Sequence, residues 1–195
     1  SNITLKIKGT GTKKVFSDDS RFNSKYHPNI IYINGNKKDT VTYSYDFDQP
    51  DNVVELIWNN NMDNCEHIFY ECSDITEIDL SRFDTSQCTS MWSMLFNCSS
   101  LTSLYLSNLD TSLVTNMYSM FSGCTNLEYI NLQNFDGSKL SLYDYMFDNV
   151  PNNVVICINI NSEKIISKLK DKTCYNIDCS NNWKSKQQKI IKETG

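Results

Sequence analysis

No stretch of this chain approaches the roughly 18 consecutive apolar residues of a membrane-crossing helix, so none is expected to insert into a bilayer. Histidine is scarce. His27 and His67 are the only two, His27 ahead of Pro28 and His67 beside Ile68. Each is read as a surface or satisfied side chain, not a catalyst. No G-x-S-x-G, phosphate-binding loop, dinucleotide fingerprint or H-E-x-x-H occurs. No C-x-x-C pair has a second pair or histidine partners, which argues against zinc. Cysteine nucleophiles need a nearby base and an electropositive setting, and nothing marks one. The expectation is a protein with no catalytic residue, no metal and no cofactor. Positive charge is also short: the net charge is −5, with only a mild basic stretch at the C-terminus. That argues against nucleic acid as the main partner. A hydrophobic share of 39% with 21% charged residues fits a globular chain and not a disordered one. Ser1 is no initiator methionine, so the chain is read as a piece of a longer one, and the lack of a leader excludes nothing.

What is present is a repeat of 26 residues. Its pegs are Cys72, Cys98 and Cys124. Ahead of them stand Ile68-Phe69, Met94-Leu95 and Met120-Phe121. Behind come Ile75, Ile78 and Leu80; then Leu101, Leu104 and Leu106; then Leu127, Ile130 and Leu132. A fourth, partial copy places Val150 on the cysteine position and Ile156 and Ile158 on the strand positions. A period of this length with an L-x-x-L-x-L core is the signature of leucine-rich repeats. Alternate side chains of a strand share a face, so Ile78 and Leu80 point one way and Asp79 the other. One such strand cannot bury its apolar face alone, whereas stacked copies build a continuous inner surface. Thr89 to Phe96 and Thr115 to Phe121 are expected to return as short helices, with Thr89 and Thr115 as N-caps. The predicted fold is an α/β repeat: a leucine-rich-repeat solenoid of short parallel strands and short helical returns.

Three regions follow. Ile3 to Ile7 and Val41 to Tyr45 alternate in a half-buried strand pattern, and residues 1–52 are expected to form a β-rich N-terminal cap, with Ile30 to Ile33 and Val41 to Phe47 as two hairpin arms. Residues 53–160 form the solenoid: a degenerate first repeat, three full repeats and a partial last. Residues 161–195 close it as a cysteine-containing C-terminal cap, with a helix opened at Ser162-Glu163. Cys72, Cys98 and Cys124 read as small buried thiols of the repeat core, beside Leu80, Leu106 and Leu132. A disulfide is expected among Cys157, Cys174 and Cys179. Asp84, Asp110 and Asp136 recur in D-T-S, D-T-S and D-G-S, as turn-supporting carboxylates. The alternative is a calcium ladder.

The outward strand positions are the candidate contact surface. Glu77, Asp79, Ser103, Tyr105, Tyr129 and Asn131 combine tyrosine, serine, amide and acid, a composition suited to adaptable contacts. Two phrases, F-D-T-S-x-C-T-S-M-W-S-M-L-F-N-C-S-S-L and L-D-T-S-x-V-T-N-M-Y-S-M-F-S-G-C-T-N-L, carry a resemblance. Across about residues 60 to 158 the chain resembles the BspA-type leucine-rich repeat of bacterial and trichomonad surface proteins. The resemblance implies a cell-surface or secreted location and adhesion to host cells or matrix, with a protein or glycan partner. It carries over no catalytic residue. The second expectation is a spacer that displays another domain of a larger surface protein.

Overall fold

Alternation along the first strand settles how the chain begins: Ile3, Leu5 and Ile7 are fully buried while Lys6 and Lys8 face solvent. The structure is a computed structural model describing residues 1–159, 162–172 and 174–176. In chain order its strands are β1 (Asn2–Lys8), β2 (Gly11–Lys14), β3 (Ile30–Ile33), β4 (Asn36–Lys37), β5 (Ser44–Phe47) and β6 (Asp51–Ile57). These are followed by β7 (Ile75–Asp79), β8 (Ser103–Tyr105), β9 (Tyr129–Leu132), β10 (Val155–Ile158) and β11 (Cys174–Asn176). Nine of them form one sheet in the order β11-β10-β9-β8-β7-β1-β6-β3-β4, and β2 pairs with β5 separately. From β7 to β11 neighbours are parallel; from β7 through β1 to β4 they are antiparallel.

The 26-residue period becomes an exact stacking register. Ile78 lies opposite Leu104, Leu104 opposite Ile130, and Ile130 opposite Ile156. β1 lies between β6 and β7, antiparallel to both, so one sheet carries the N-terminal region and the repeats. The boundary expected at residue 52 falls inside β6. The hairpin from β3 is tight. It turns on Asn34 and Gly35, both with positive φ, into Asn36–Lys37. The second arm expected at Val41 to Phe47 is instead β5, paired with β2.

The α/β leucine-rich-repeat expectation is overturned, because the described residues are mostly β. Their only α-helix is α1 (Glu163–Ile166), four residues long, which runs into a 3-10 turn at Ser167–Leu169. The returns are not helices. From Met91 onward, every second N–H leaves its own coil and donates to the next one. Met91 N donates to Asn116 O (2.8 Å), Ser93 N to Tyr118 O (2.9 Å), Leu95 N to Met120 O (3.0 Å) and Asn97 N to Ser122 O (2.8 Å). The following coil repeats this from Met117 to Leu142, Ser119 to Asp144, Phe121 to Met146 and Gly123 to Asp148. The intervening N–H groups close four-residue turns, as Met94 does to Met91 and Phe96 to Ser93. An α-helix would need those donors four residues back in the same segment.

Left-handed residues enforce the pattern. His67, Ser93, Ser119 and Tyr145 form one 26-residue series with positive φ; Glu71, Asn97, Gly123 and Asn149 form the other. Two such residues four apart break a right-handed helix in each coil. Thr89 and Thr115, expected as N-caps, join a hydroxyl ladder instead. Thr89 Oγ1 donates to Asp63 O, Thr115 Oγ1 to Thr89 O and Ser141 Oγ to Thr115 O. Ser162 likewise sends its hydroxyl to Phe135 O (2.6 Å) and makes no side-chain cap on α1.

Gly123 tests this arrangement. It adopts φ +80°, and a Cβ there would lie 1.9 Å from Asn97 Oδ1 of the preceding coil. We predict that Gly123→Ala lowers unfolding stability by about 1–3 kcal/mol, combining left-handed strain with displacement of Asn97. Urea denaturation measures it; an unchanged midpoint would contradict the packing described.

Candidate binding face

The sheet has an inner face packed on the returns and an outer face carrying the alternate side chains. Leu80, Leu106 and Leu132 point inward and are buried, as are Cys72, Cys98 and Cys124. These three cysteines are free thiols. Cys98 Sγ donates to Phe69 O (3.1 Å) and Cys124 Sγ to Leu95 O (3.3 Å), each a carbonyl of the preceding coil. Burial raises their pKa, that of Cys124 to about 12, so they stay protonated and unreactive near neutral pH. Cys157 faces the other way from Ile156 and Ile158 and is disulfide-bonded. The sulfur it joins lies outside the described residues, as do the side chains of Cys174 and Cys179.

Parallel register turns the outer positions into transverse rows. Glu55, Thr4, Asp79, Tyr105 and Asn131 are successive partners in one row. Lys6, Glu77, Ser103, Tyr129 and Val155 make the next. All six candidate contact residues are thus brought to one face. Neighbouring strands are about 4.8 Å apart, so adjacent members of a row are in side-chain reach.

The two tyrosines differ. Tyr105 is 44% exposed, whereas Tyr129 is half-buried and packs against Val155 and Cys157 on β10. Lys6 Nζ pairs with Glu77 Oε2 at 2.8 Å, with both side chains more than half exposed, so it contributes about 0–1 kcal/mol. Asp79 Oδ1 accepts from Ser81 N (2.9 Å), which holds its carboxyl below the ordinary value. Asn131 Oδ1 accepts from Gln133 N in the same way, two coils on. A concavity of about 370 Å³ is lined by Thr4, Lys6, Glu77, Asp79, Ser103 and Tyr105. A neighbouring one of about 320 Å³ brings in Asn2, Glu55 and Arg82. Reading the sequence alone missed Thr4, Lys6, Glu55 and Arg82 as members. The alternation of β1 was visible, but its partner β7 lies some seventy residues away along the chain.

The face offers an exposed aromatic, an ion pair and several hydroxyl and carboxylate groups. Among the described residues, no group of three histidine, cysteine, aspartate or glutamate side chains is placed to hold a metal ion. Asp84, Asp110 and Asp136 each accept from the backbone N–H two residues on, at Ser86, Ser112 and Ser138. The threonine beside each of the first two bridges coils: Thr85 Oγ1 donates to Asp110 O and Thr111 Oγ1 to Asp136 O.

On the opposite side of the molecule the expectation for His67 fails. It is fully buried, and neither ring nitrogen has a hydrogen-bond partner. Tyr70 and Trp92 flank it, and Arg21 lies across both of their rings. No sequence signal near His67 announces this cover, because it comes from residues 17–22.

Residues 63–183, which begin with the first coil, match the family described as "Mycoplasma protein of unknown function, DUF285". The chain belongs to this family. The DUF285 description assigns no activity, and the first 62 residues, β1 included, lie outside the matched span. No curated protein and no solved structure matches the chain.

The stacked aspartates of the DUF285 region give a pH prediction. Hydrogen bonds from the serine two residues on, through its backbone N–H and side chain, hold all three carboxyls below the ordinary value of 3.8. A depressed folded-state pKa means stability present above 3.8 and lost as pH falls through the folded values. The thermal midpoint should therefore fall below about pH 4. A variant with Asp84, Asp110 and Asp136 all changed to Asn should show a weaker fall; equal slopes would count against these turns.

Proposed function

We propose that this protein is a non-enzymatic binding module displayed on a cell surface or secreted, whose outer sheet face contacts a protein or glycan on a host or neighbouring cell or in matrix. One observation carries the reading. A strand from the N-terminal region and strands from two coils converge on a single concavity, lined by Tyr105 together with Lys6, Glu77 and Asp79. An exposed tyrosine set among short polar side chains is the usual core of an adaptable contact. The resemblance of the repeat phrases to BspA-type surface proteins supports the location and the adhesive role.

A display scaffold is the second reading, favoured by the uniform register from β7 to β10, which sets a constant rise per coil. The two differ in what a point change at the face does.

Binding of the purified protein to intact epithelial cells and to common matrix proteins tests the proposal. Tyr105→Ala should weaken saturable binding about tenfold or more, as truncating an aromatic anchor does. Circular dichroism should be unchanged, because Tyr105 is 44% exposed. Tyr129 is a poorer probe, since its truncation also strips packing from β10. Unaltered binding by the Tyr105 variant would overturn the face, and absence of any binding would favour the scaffold.

A further inference from the structure

Among the described residues, the buried side-chain nitrogens and oxygens without a partner belong to one residue, His67. Leaving a buried polar group unpaired costs about 1–3 kcal/mol, so such a site calls for a physical reason. Its ring sits 4.7 Å from that of Trp92 and 5.3 Å from that of Tyr70. Over these rings lies a strap. Residues 17–22 cross the first coil, and the Arg21 guanidinium stands 4.7 Å from the centre of Tyr70 and 5.8 Å from that of Trp92.

The strap is fastened at both ends, and between them Phe22 is buried in the core. Ser17 N donates to Ile68 O (2.8 Å) on one side. On the other, Tyr26 OH donates to Asp63 Oδ1, and Trp58 Nε1 donates to Tyr26 O. Between them Asp18 accepts from Lys14 Nζ of β2 (2.6 Å), and Arg21 is paired within the strap. Arg21 donates from Nε and Nη2 to the two oxygens of Asp19, whose carboxyl is thereby lowered to about 2.

We propose that residues 17–22 form a proton-sensitive latch: protonating His67 drives Arg21 off Tyr70 and Trp92 and uncovers the aromatic surface of the first coil. The charged groups around the imidazole make the direction plain. From the strap come Arg21, which opposes a second positive charge, and Asp19, already engaged by Arg21. From its own coil comes Glu66, whose Oε1 accepts from Ser90 Oγ. The next coil contributes Trp92, which carries no charge. An imidazolium here has two donors and no acceptor, beside a guanidinium. Burial and Arg21 accordingly keep the ring neutral. A His whose folded-state pKa is lowered stabilises the closed form above the ordinary value of 6.5, and that contribution is lost as pH falls below it. The anchors at Ser17, Phe22 and Tyr26 carry no histidine, so Arg21 lifts away between them while the coils stay folded.

Amide hydrogen exchange of the peptide spanning 17–27, corrected for the intrinsic pH dependence, reads the latch. In the unaltered protein its protection should fall about tenfold or more between about pH 7 and about pH 5, with the coil amides at 91–97 unaffected. His67→Asn tolerates the positive φ and cannot titrate, and His67→Ser copies the residue found at Ser93 and Ser119 in the same frame. Both should hold protection constant across that range. His27 packs at a tilt against Phe16 and Phe22 and is the other histidine of the chain. Changing it to Asn should leave the response in place. A response that survives in both His67 variants, or vanishes with His27→Asn, would overturn the proposal, as would constant protection in the unaltered protein.

Discussion

The structure depends on backbone hydrogen bonds between the returns of successive coils. An N–H of residue 93 committed to the carbonyl of residue 118 cannot serve a helix within its own segment. That commitment, repeated at alternate residues, aligns each coil on its neighbour at both the sheet and the return. It also demands left-handed backbone at two positions per coil, which Ser93, Asn97, Ser119 and Gly123 supply. The buried Met and Cys side chains then fill the space between two hydrogen-bonded walls, and no wall can slip without moving the other.

The outer face inherits its order from the same register. Because each strand is offset by one repeat with no slip, Ser103 falls beside Glu77 and Tyr105 beside Asp79. The addition of β1 is what makes the face a site and not merely a repeat surface. An antiparallel strand from the N-terminus covers the open edge of β7, and an uncovered edge would invite pairing with another chain. Its outward Thr4 and Lys6 complete the concavity. The N-terminal region therefore both closes the stack and supplies part of its chemistry. The strap over His67 is a second contribution from it, on the far side.

The strand half of the repeat was legible in the residues, since Ile78, Leu104, Ile130 and Ile156 occupy the positions that the 26-residue period assigns to them. The returns were not. Met91, Met94 and Leu95 recur at three- and four-residue spacing, which a helix shares with a chain of four-residue turns. The left-handed positions hold Ser, Glu, His and Tyr as well as Asn97, Asn149 and Gly123, and only the asparagines and the glycine carry a recognisable signal. The Asp-Thr-Ser turns were local and readable, because the acceptor lies two residues from its donor. What the sequence hid was nonlocal. The partners of β1, the true second arm at Asn36–Lys37, and the burial of His67 under Arg21 all depend on segments distant along the chain.

Hydrogen-bond scalar couplings in a labelled sample test the central claim most directly. The account predicts a coupling from the Ser93 amide nitrogen to the Tyr118 carbonyl carbon, with its counterpart from Ser119 to Asp144. A coupling from Ser93 to the carbonyl of Thr89 instead would mean a helical return and would contradict it.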